Sequence, residues 1–345
     1  MLPTMTAARR RHEHGDGTQP PAAAATRRDQ RGMGGPRRGA DRRRHAGRPR
    51  RGSLFSESST ISLLQRAAGL GIVAVGQTIA ILAGSLDLSV AYVISLTSLV
   101  AAETMAGSDG MVLPAILAVL AVSAAIGLVN GLLITKLRIN AFIATLGVGL
   151  LIKGYLEQGY AGPAGSVPTS FQHLGYDRLG PVPLSFLLFA AVAAAVWFTL
   201  RGTRYGHHLI ATGGDLDVAR LSGVRTDRVL IRTHVICSLC AGIAGLYLAS
   251  RLGAGAPRVG AEGGYDLESI AAVVLGGTVL AGGKGGVTGT VGGVLLLAVI
   301  DGVFNQLEVD SFFKQMVRGV VIVAAVAVYA LRLRRTSDRR KAAVA

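Results

Sequence analysis

The sequence predicts an all-α fold, a polytopic membrane helical bundle of about eight to nine hydrophobic spans with interrupted helices. Three observations carry this reading. Half of the 345 residues are hydrophobic, and the mean hydropathy of +0.46 is high for a soluble chain. The apolar residues are gathered into runs of about 20, the length a helix needs to cross the hydrocarbon layer. Aromatic residues make up only 5% while glycines number 47, so the oiliness comes from small and aliphatic side chains. That mixture lets helix backbones approach closely in lipid.

Residues 1–51 form an Arg-rich tail with almost no apolar periodicity, and they are expected to be disordered. Fourteen Arg against Glu13, Asp16, Asp29 and Asp41 place +10 of the net +16 there. The pI of ≈ 10.8 is therefore mostly a property of the tail. Such an arm could meet anionic lipid or nucleic acid, and no apolar segment adjoins it as a signal peptide requires.

The transmembrane domain is expected over residues 52–332. A Ser-rich amphipathic stretch with Ile61, Leu63 and Leu64 opens it. Apolar runs follow at 67–83, 88–105, 112–135 and 141–156. Segment 159–183 carries enough Pro and Gly to exclude a helix through it. Further runs lie at 184–200, 229–250, 267–280, 287–304 and 312–331, and residues 333–345 make a basic cytoplasmic end.

Between the fifth and sixth runs lies the long polar interval 201–228, with Arg201, Arg204, Arg220, Arg225 and Arg228 against Asp215, Asp217 and Asp227. A basic loop between spans is expected on the cytoplasmic side, and this one is long for a plain connector. Counting spans backwards puts Lys136–Arg138 inside as well, but the region before residue 67 outside. The strongly basic tail conflicts with that placement. Either the first two runs form a broken or re-entrant pair, or a span that should precede Ser53 is absent and the start is mis-assigned.

Two breaks stand out. In GSLDLS, Asp87 lies between apolar runs with no Lys or Arg beside it. A carboxylate at membrane depth is costly and points to a translocation path; at the interface it would only cap the next helix. In LGGTVLAGGKGG the glycines are too dense for a regular helix, and an interrupted helix is tolerated where it lines a cavity. Lys284 does not complete a phosphate loop, because Thr278 and Gly285 occupy positions that need Gly and a hydroxyl residue. Gly127 and Gly131, and Gly285, Gly289 and Gly293, read as helix contact faces. Cys237 and Cys240 read as small packing residues. His207, His208 and His234 stand without acids in a metal or catalytic set and read as loop or span-edge residues. No metal or cofactor is expected.

The pieces GQTIAILAGSLDLSV, NGLLITKLRINAFIATLG, ATGGDLDVARLSGV, YDLESIAAVVLGGTVLAGGKGGVTGTVGG and SFFKQMVRGVVIVAAV resemble the permease subunit of bacterial ABC importers of the ribose/xylose/galactose type, in that order over about residues 54–331. The resemblance implies a multi-pass plasma-membrane protein that takes a monosaccharide across by alternating access. It implies as partners a second permease copy, cytoplasmic ATP-binding subunits, an extracytoplasmic sugar-binding protein and the lipid bilayer, with no nucleic acid. The permease itself is not an enzyme, and ATP hydrolysis comes from the partner subunit. ATPase docking falls to Gly213, Gly214, Asp215, Asp217, Arg220 and Gly223, and the translocation path to Asp87, Ser89, Gly276, Gly277 and Thr278. The family often reads Gly-Gly-Asn then Glu-Ala-Ala; here Leu216, Asp217 and Val218 depart from it. The family also has one more span before the position of Leu54. Alternative readings are an ABC permease for branched-chain amino acids or nucleosides, and an ion-coupled secondary transporter, for which Asp87 alone gives thin support.

Overall fold

Ser56 starts the first helix by accepting the Ser59 N–H on its hydroxyl, and Glu57 in the first turn suits the positive helix end. The computed structural model describes residues 56–310 with 313, 314, 316, 317, 319 and 320. The Arg-rich tail, most of the run 312–331 and the end 333–345 fall outside these residues.

The helices follow in order as α1 (Glu57–Leu82), α2 (Val90–Met105), α3 (Val112–Thr135), α4 (Ala141–Gly159), α5 (Thr169–Tyr176), α6 (Leu184–Gly202), α7 (Arg204–Gly214), α8 (Leu216–Leu221), α9 (Thr226–Leu252), α10 (Val259–Glu262), α11 (Tyr265–Leu275) and α12 (Val287–Gln306). The only strands among the described residues are β1 (Arg178–Leu179) and β2 (Val182–Pro183), a two-residue antiparallel pair.

Three differences from the sequence reading have local causes. The first helix begins ten residues before the apolar run, because the capped Ser-rich stretch continues into it. Segment 159–183 does hold a helix: α5 fits between Pro168, which precedes its first turn, and Asp177. The run 267–280 does not stay helical, since α11 ends at Leu275 and the chain turns through Gly276 and Gly277.

Five segments are long and apolar enough to cross a membrane: α1, Asp109–Thr135, α6, α9 and α12. The shorter α2 is also apolar. The chain is thus an all-α polytopic protein. The expected count of eight to nine is not matched by full-length apolar helices among the described residues.

Helix α9 is the central packing partner. Along it α1 runs antiparallel: the missing Cβ of Gly69 would lie 3.2 Å from the Tyr247 ring, and that of Gly76 2.8 Å from Cys240 Cβ. The chain reverses at residues 83–89, and α2 returns along α9 so that Gly245 faces Thr97. Helix α3 packs antiparallel on the same helix, with Gly242 against Ser123, Gly127 against His234 and Gly131 against Ile231. Small residues on both sides bring backbones into contact, which is how helices gain packing energy in lipid. Cys237 and Cys240 are free and buried in this packing. On the other side α12 packs on α1, where the Thr78 and Thr290 hydroxyls lie 2.7 Å apart. Large apolar side chains such as Leu117, Leu128, Leu150 and Leu151 face outward from α3 and α4, as a lipid-contacting surface requires.

Candidate functional site

The turn between α1 and α2 is held by a closed polar network. Asp87, at 0% exposure, is its centre. Its Oδ1 accepts from the Ser89 N–H at 3.0 Å and the Ser89 hydroxyl at 2.5 Å. Its Oδ2 accepts from His234 Nδ1 at 3.2 Å and from Asn130 Nδ2 at 3.5 Å. The Gln77 amide, oriented to satisfy both ends, brackets the Asp87 backbone, donating to its carbonyl and accepting from its N–H at 3.2 Å each. The Leu88 N–H donates to Thr145 Oγ1 on α4 at 3.1 Å. Burying a carboxylate costs several kcal/mol unless it is paired and hydrogen-bonded, and here the turn itself, α3 and α9 each contribute a donor.

His234 was not legible as part of this set. It is fully buried on α9 rather than at a span edge, and its Nε2 lies 2.9 Å from Ser85 Oγ. With Nδ1 donating to the carboxylate, Nε2 can accept from the Ser85 hydroxyl, so a neutral imidazole satisfies both ends. Ser85, His234 and Asp87 stand in the order of a nucleophilic triad. Ser85 is only 5% exposed and the other two are closed, so the chain of bonds fixes the turn to α9 and admits no substrate. The missed signal was a histidine in an apolar run matched to a carboxylate in a helix break. Asn130 and Gln77 were missed for the same reason.

The polar interval 201–228 folds into α7 and α8. Thr203 caps α7 through the Gly206 N–H, and α7 is tied to α9 by a 3.0 Å hydrogen bond between the Tyr205 and Thr233 hydroxyls. Burial pushes the Tyr205 phenol up to about 12, with Thr233 working the other way, so the phenol stays neutral. Asp215 caps α8 by accepting the Asp217 and Val218 N–H groups at 3.0 Å each. Asp217 in the first turn favours the helix dipole. Arg220 folds back, donating to Thr226 Oγ1 at 2.9 Å and to Asp227 at 3.2 Å. Lys136, from the turn after α3, reaches the same Asp227 at 3.4 Å. Gly223, at φ +83°, ends the segment in a conformation suited to glycine. The outer side of α8 exposes two apolar side chains, Val218 at 58% and Leu221 at 89%, beside the exposed Asp217.

The remaining expected residues sit at the break between α11 and α12. Gly276 packs on Gly289, where a Cβ would lie 2.3 Å from the carbonyl oxygen. Gly277 is exposed, and Thr278 is buried, accepting the Gly286 N–H at 3.3 Å. A cavity of about 270 Å³ adjoins this break, lined by Leu82, Trp197, Arg201, Gly276, Gly286 and Thr288 among others. The structure therefore brings Gly276 and Gly277 to a surface, whereas Asp87 and Ser89 are enclosed within one chain.

This arrangement of apolar and interrupted helices is matched at the family level. The model of the family described as branched-chain amino acid transport system, permease component, covers residues 59–326. The chain belongs to this permease family. It is 38% identical over 281 residues to the ribose import permease protein RbsC of Escherichia coli strain K12, covering 80% of this chain and 87% of that protein. It is 35% identical over 278 residues to RbsC of Bacillus subtilis strain 168, covering 79% and 85%. It is 31% identical over 307 residues to the galactose/methyl galactoside import permease protein MglC of Escherichia coli strain K12, covering 82% and 91%. No solved structure matches the chain. The permease is a multi-pass membrane protein, in keeping with its apolar helices.

Proposed function

We propose that this permease is the membrane subunit of an ATP-driven importer in the bacterial inner membrane, carrying a monosaccharide of the ribose or galactose class by alternating access. The relatives above, named for ribose and galactose import, support the substrate class. The observation that carries the coupling assignment is α8, a capped six-residue helix presenting Val218 and Leu221 at the basic end of the bundle. Apolar side chains so placed on a polar segment fit a protein partner. ATP hydrolysis belongs to that partner, and an extracytoplasmic binding protein delivers the sugar. A second copy of the permease completes the path.

In this reading the bilayer holds eight to nine apolar segments: the five long helices, the shorter α2, α4 and α11, and the run 312–331. Gly213, Gly214, Asp215, Asp217, Arg220 and Gly223 shape the docking element. Gly276, Gly277 and Thr278 border the path, with Asp87 and Ser89 in the shell that holds the neighbouring turn. The family description favours a second reading, transport of branched-chain amino acids. Competition of labelled ribose uptake by galactose, xylose and leucine separates the two: the sugars compete and leucine does not.

Docking is tested by Leu221→Asp and Asp217→Arg. Both side chains point away from the bundle, so membrane yield stays unchanged, while co-purification of the ATP-binding subunits falls about tenfold. Unchanged co-purification in both variants contradicts the docking assignment.

A further inference from the structure

We infer that Gly213, Gly84, Gly282 and Gly283 form a single backbone joint through which α7 and α8 move both helix breaks together. The inference rests on the proposed coupling role of α7 and α8 and adds the route by which their motion enters the bundle.

The joint is built on one hydrogen bond. Leu82, the last residue of α1, leaves a carbonyl that the helix itself cannot use. The Gly283 N–H, from the break between α11 and α12, donates to it at 3.0 Å. The end of α7 lies directly over this bond. A Cβ on Gly213 would stand 1.8 Å from the Leu82 oxygen and 2.9 Å from the Gly283 nitrogen. A Cβ on Gly282 would stand 2.6 Å from the Gly213 oxygen and 2.8 Å from the Gly84 nitrogen, and one on Gly283 2.7 Å from Gly214 Cα. Each close atom is backbone, so none can rotate aside.

Conformation imposes the same requirement. Gly84 at φ +74° and Gly282 at φ +92° occupy the left-handed region, so the turn after α1 and the α11–α12 loop both depend on glycine where they meet. Three segments far apart in sequence thus touch main chain to main chain with no side chain between them. Close-packed contacts of this kind shift between discrete arrangements rather than deform gradually. A displacement of α7 must carry the Leu82 carbonyl and the Gly283 loop with it, or break the bond between them. The contrast with Gly214 is informative: a Cβ there meets nothing within 4 Å. The demand for glycine is specific to the position under α7, not to the sequence Gly-Gly.

The test uses the full importer with its ATP-binding subunits, and Lys284→Cys as a reporter on the α11–α12 loop. Lys284 is exposed, and the native Cys237 and Cys240 are 1% and 3% exposed, so a maleimide reads the introduced thiol. ATP is expected to change the labelling rate at Lys284→Cys by about fivefold or more. Gly213→Ala and Gly282→Ala are expected to reduce that change to within about twofold, and ribose uptake about tenfold, while the ATP-binding subunits still co-purify with Gly282→Ala, which lies outside the docking element. Gly292→Ala, exposed on α12 with nothing within 4 Å of its Cβ, keeps the wild-type response. An ATP-insensitive Lys284→Cys in the otherwise wild-type importer overturns the joint, and this arm holds even where an alanine variant does not assemble. A full ATP response in assembled Gly213→Ala and Gly282→Ala overturns it equally, as does loss of the response in Gly292→Ala. If no sugar is transported but the labelling still responds to ATP and the alanine variants abolish the response, the sugar assignment fails and the joint stands.

Discussion

Replacing Asp87 with alanine is expected to destabilise the permease by about 3–5 kcal/mol, the cost of breaking a buried network centred on a carboxylate. The substitution strands His234 Nδ1 and the Ser89 N–H in a fully buried region and leaves the Asn130 amide only its 2.9 Å bond to Ser89. Asp87→Asn keeps one acceptor oxygen and should cost less, about 1–3 kcal/mol. His234→Gln in combination with Asp87→Asn should be less than additive, because the two residues share one bond. Thermal inactivation of the purified protein in detergent reads the effect, as a fall in midpoint of roughly 10 °C for alanine. A midpoint for Asp87→Ala within about 1 °C of wild type contradicts the network described above.

Gly127→Leu is expected to prevent assembly of the bundle. A Cβ at this position would lie 2.5 Å from the His234 carbonyl oxygen and 2.6 Å from Val235 Cα, both on the backbone of α9. The added side chain forces α3 away from α9. Asn130 lies three residues further along α3 and would lose its 2.9 Å hydrogen bond to Ser89. Even Gly127→Ala should cost about 1–3 kcal/mol through overpacking. Gly147→Ala on α4 serves as the control, because its Cβ meets nothing within 4 Å. There the usual gain from replacing a helical glycine, about 0.5–1 kcal/mol, should appear instead. Protease resistance in membranes separates these outcomes: Gly127→Leu is degraded, and Gly147→Ala matches wild type.

The all-α architecture was legible because hydropathy is written in long runs; the break after α1 was legible from Asp87 between two apolar runs, and that at Gly276 because glycine is dense there. Helix length was less legible. The first helix extends to Glu57 through polar residues, since a capped Ser-rich stretch can be helical without being apolar. The eight-residue α5 was hidden by Pro168 just before it and Gly175 within its last turn, neither of which prevents it. At the candidate site the sequence marked Asp87 and Gly213 as residues of interest. It did not show that His234 sits 3.2 Å from that carboxylate, 147 positions away. Nor did it show that Gly213 packs against the last carbonyl of α1. Those contacts depend on how α7 and α9 pack, and pairings of distant segments leave no periodic trace in one chain. The departure at Leu216, Asp217 and Val218 is clearer in the structure. Asp215 caps α8, and Asp217 supports its first turn without disturbing it.

The most direct test of the account is ribose accumulation in proteoliposomes holding this permease, its ATP-binding subunits and the cognate binding protein. Accumulation is expected to require ATP hydrolysis, to be lost without the ATP-binding subunits and to be unaffected by collapsing ion gradients. Accumulation that persists without those subunits, or that follows an ion gradient in the absence of ATP, contradicts the account.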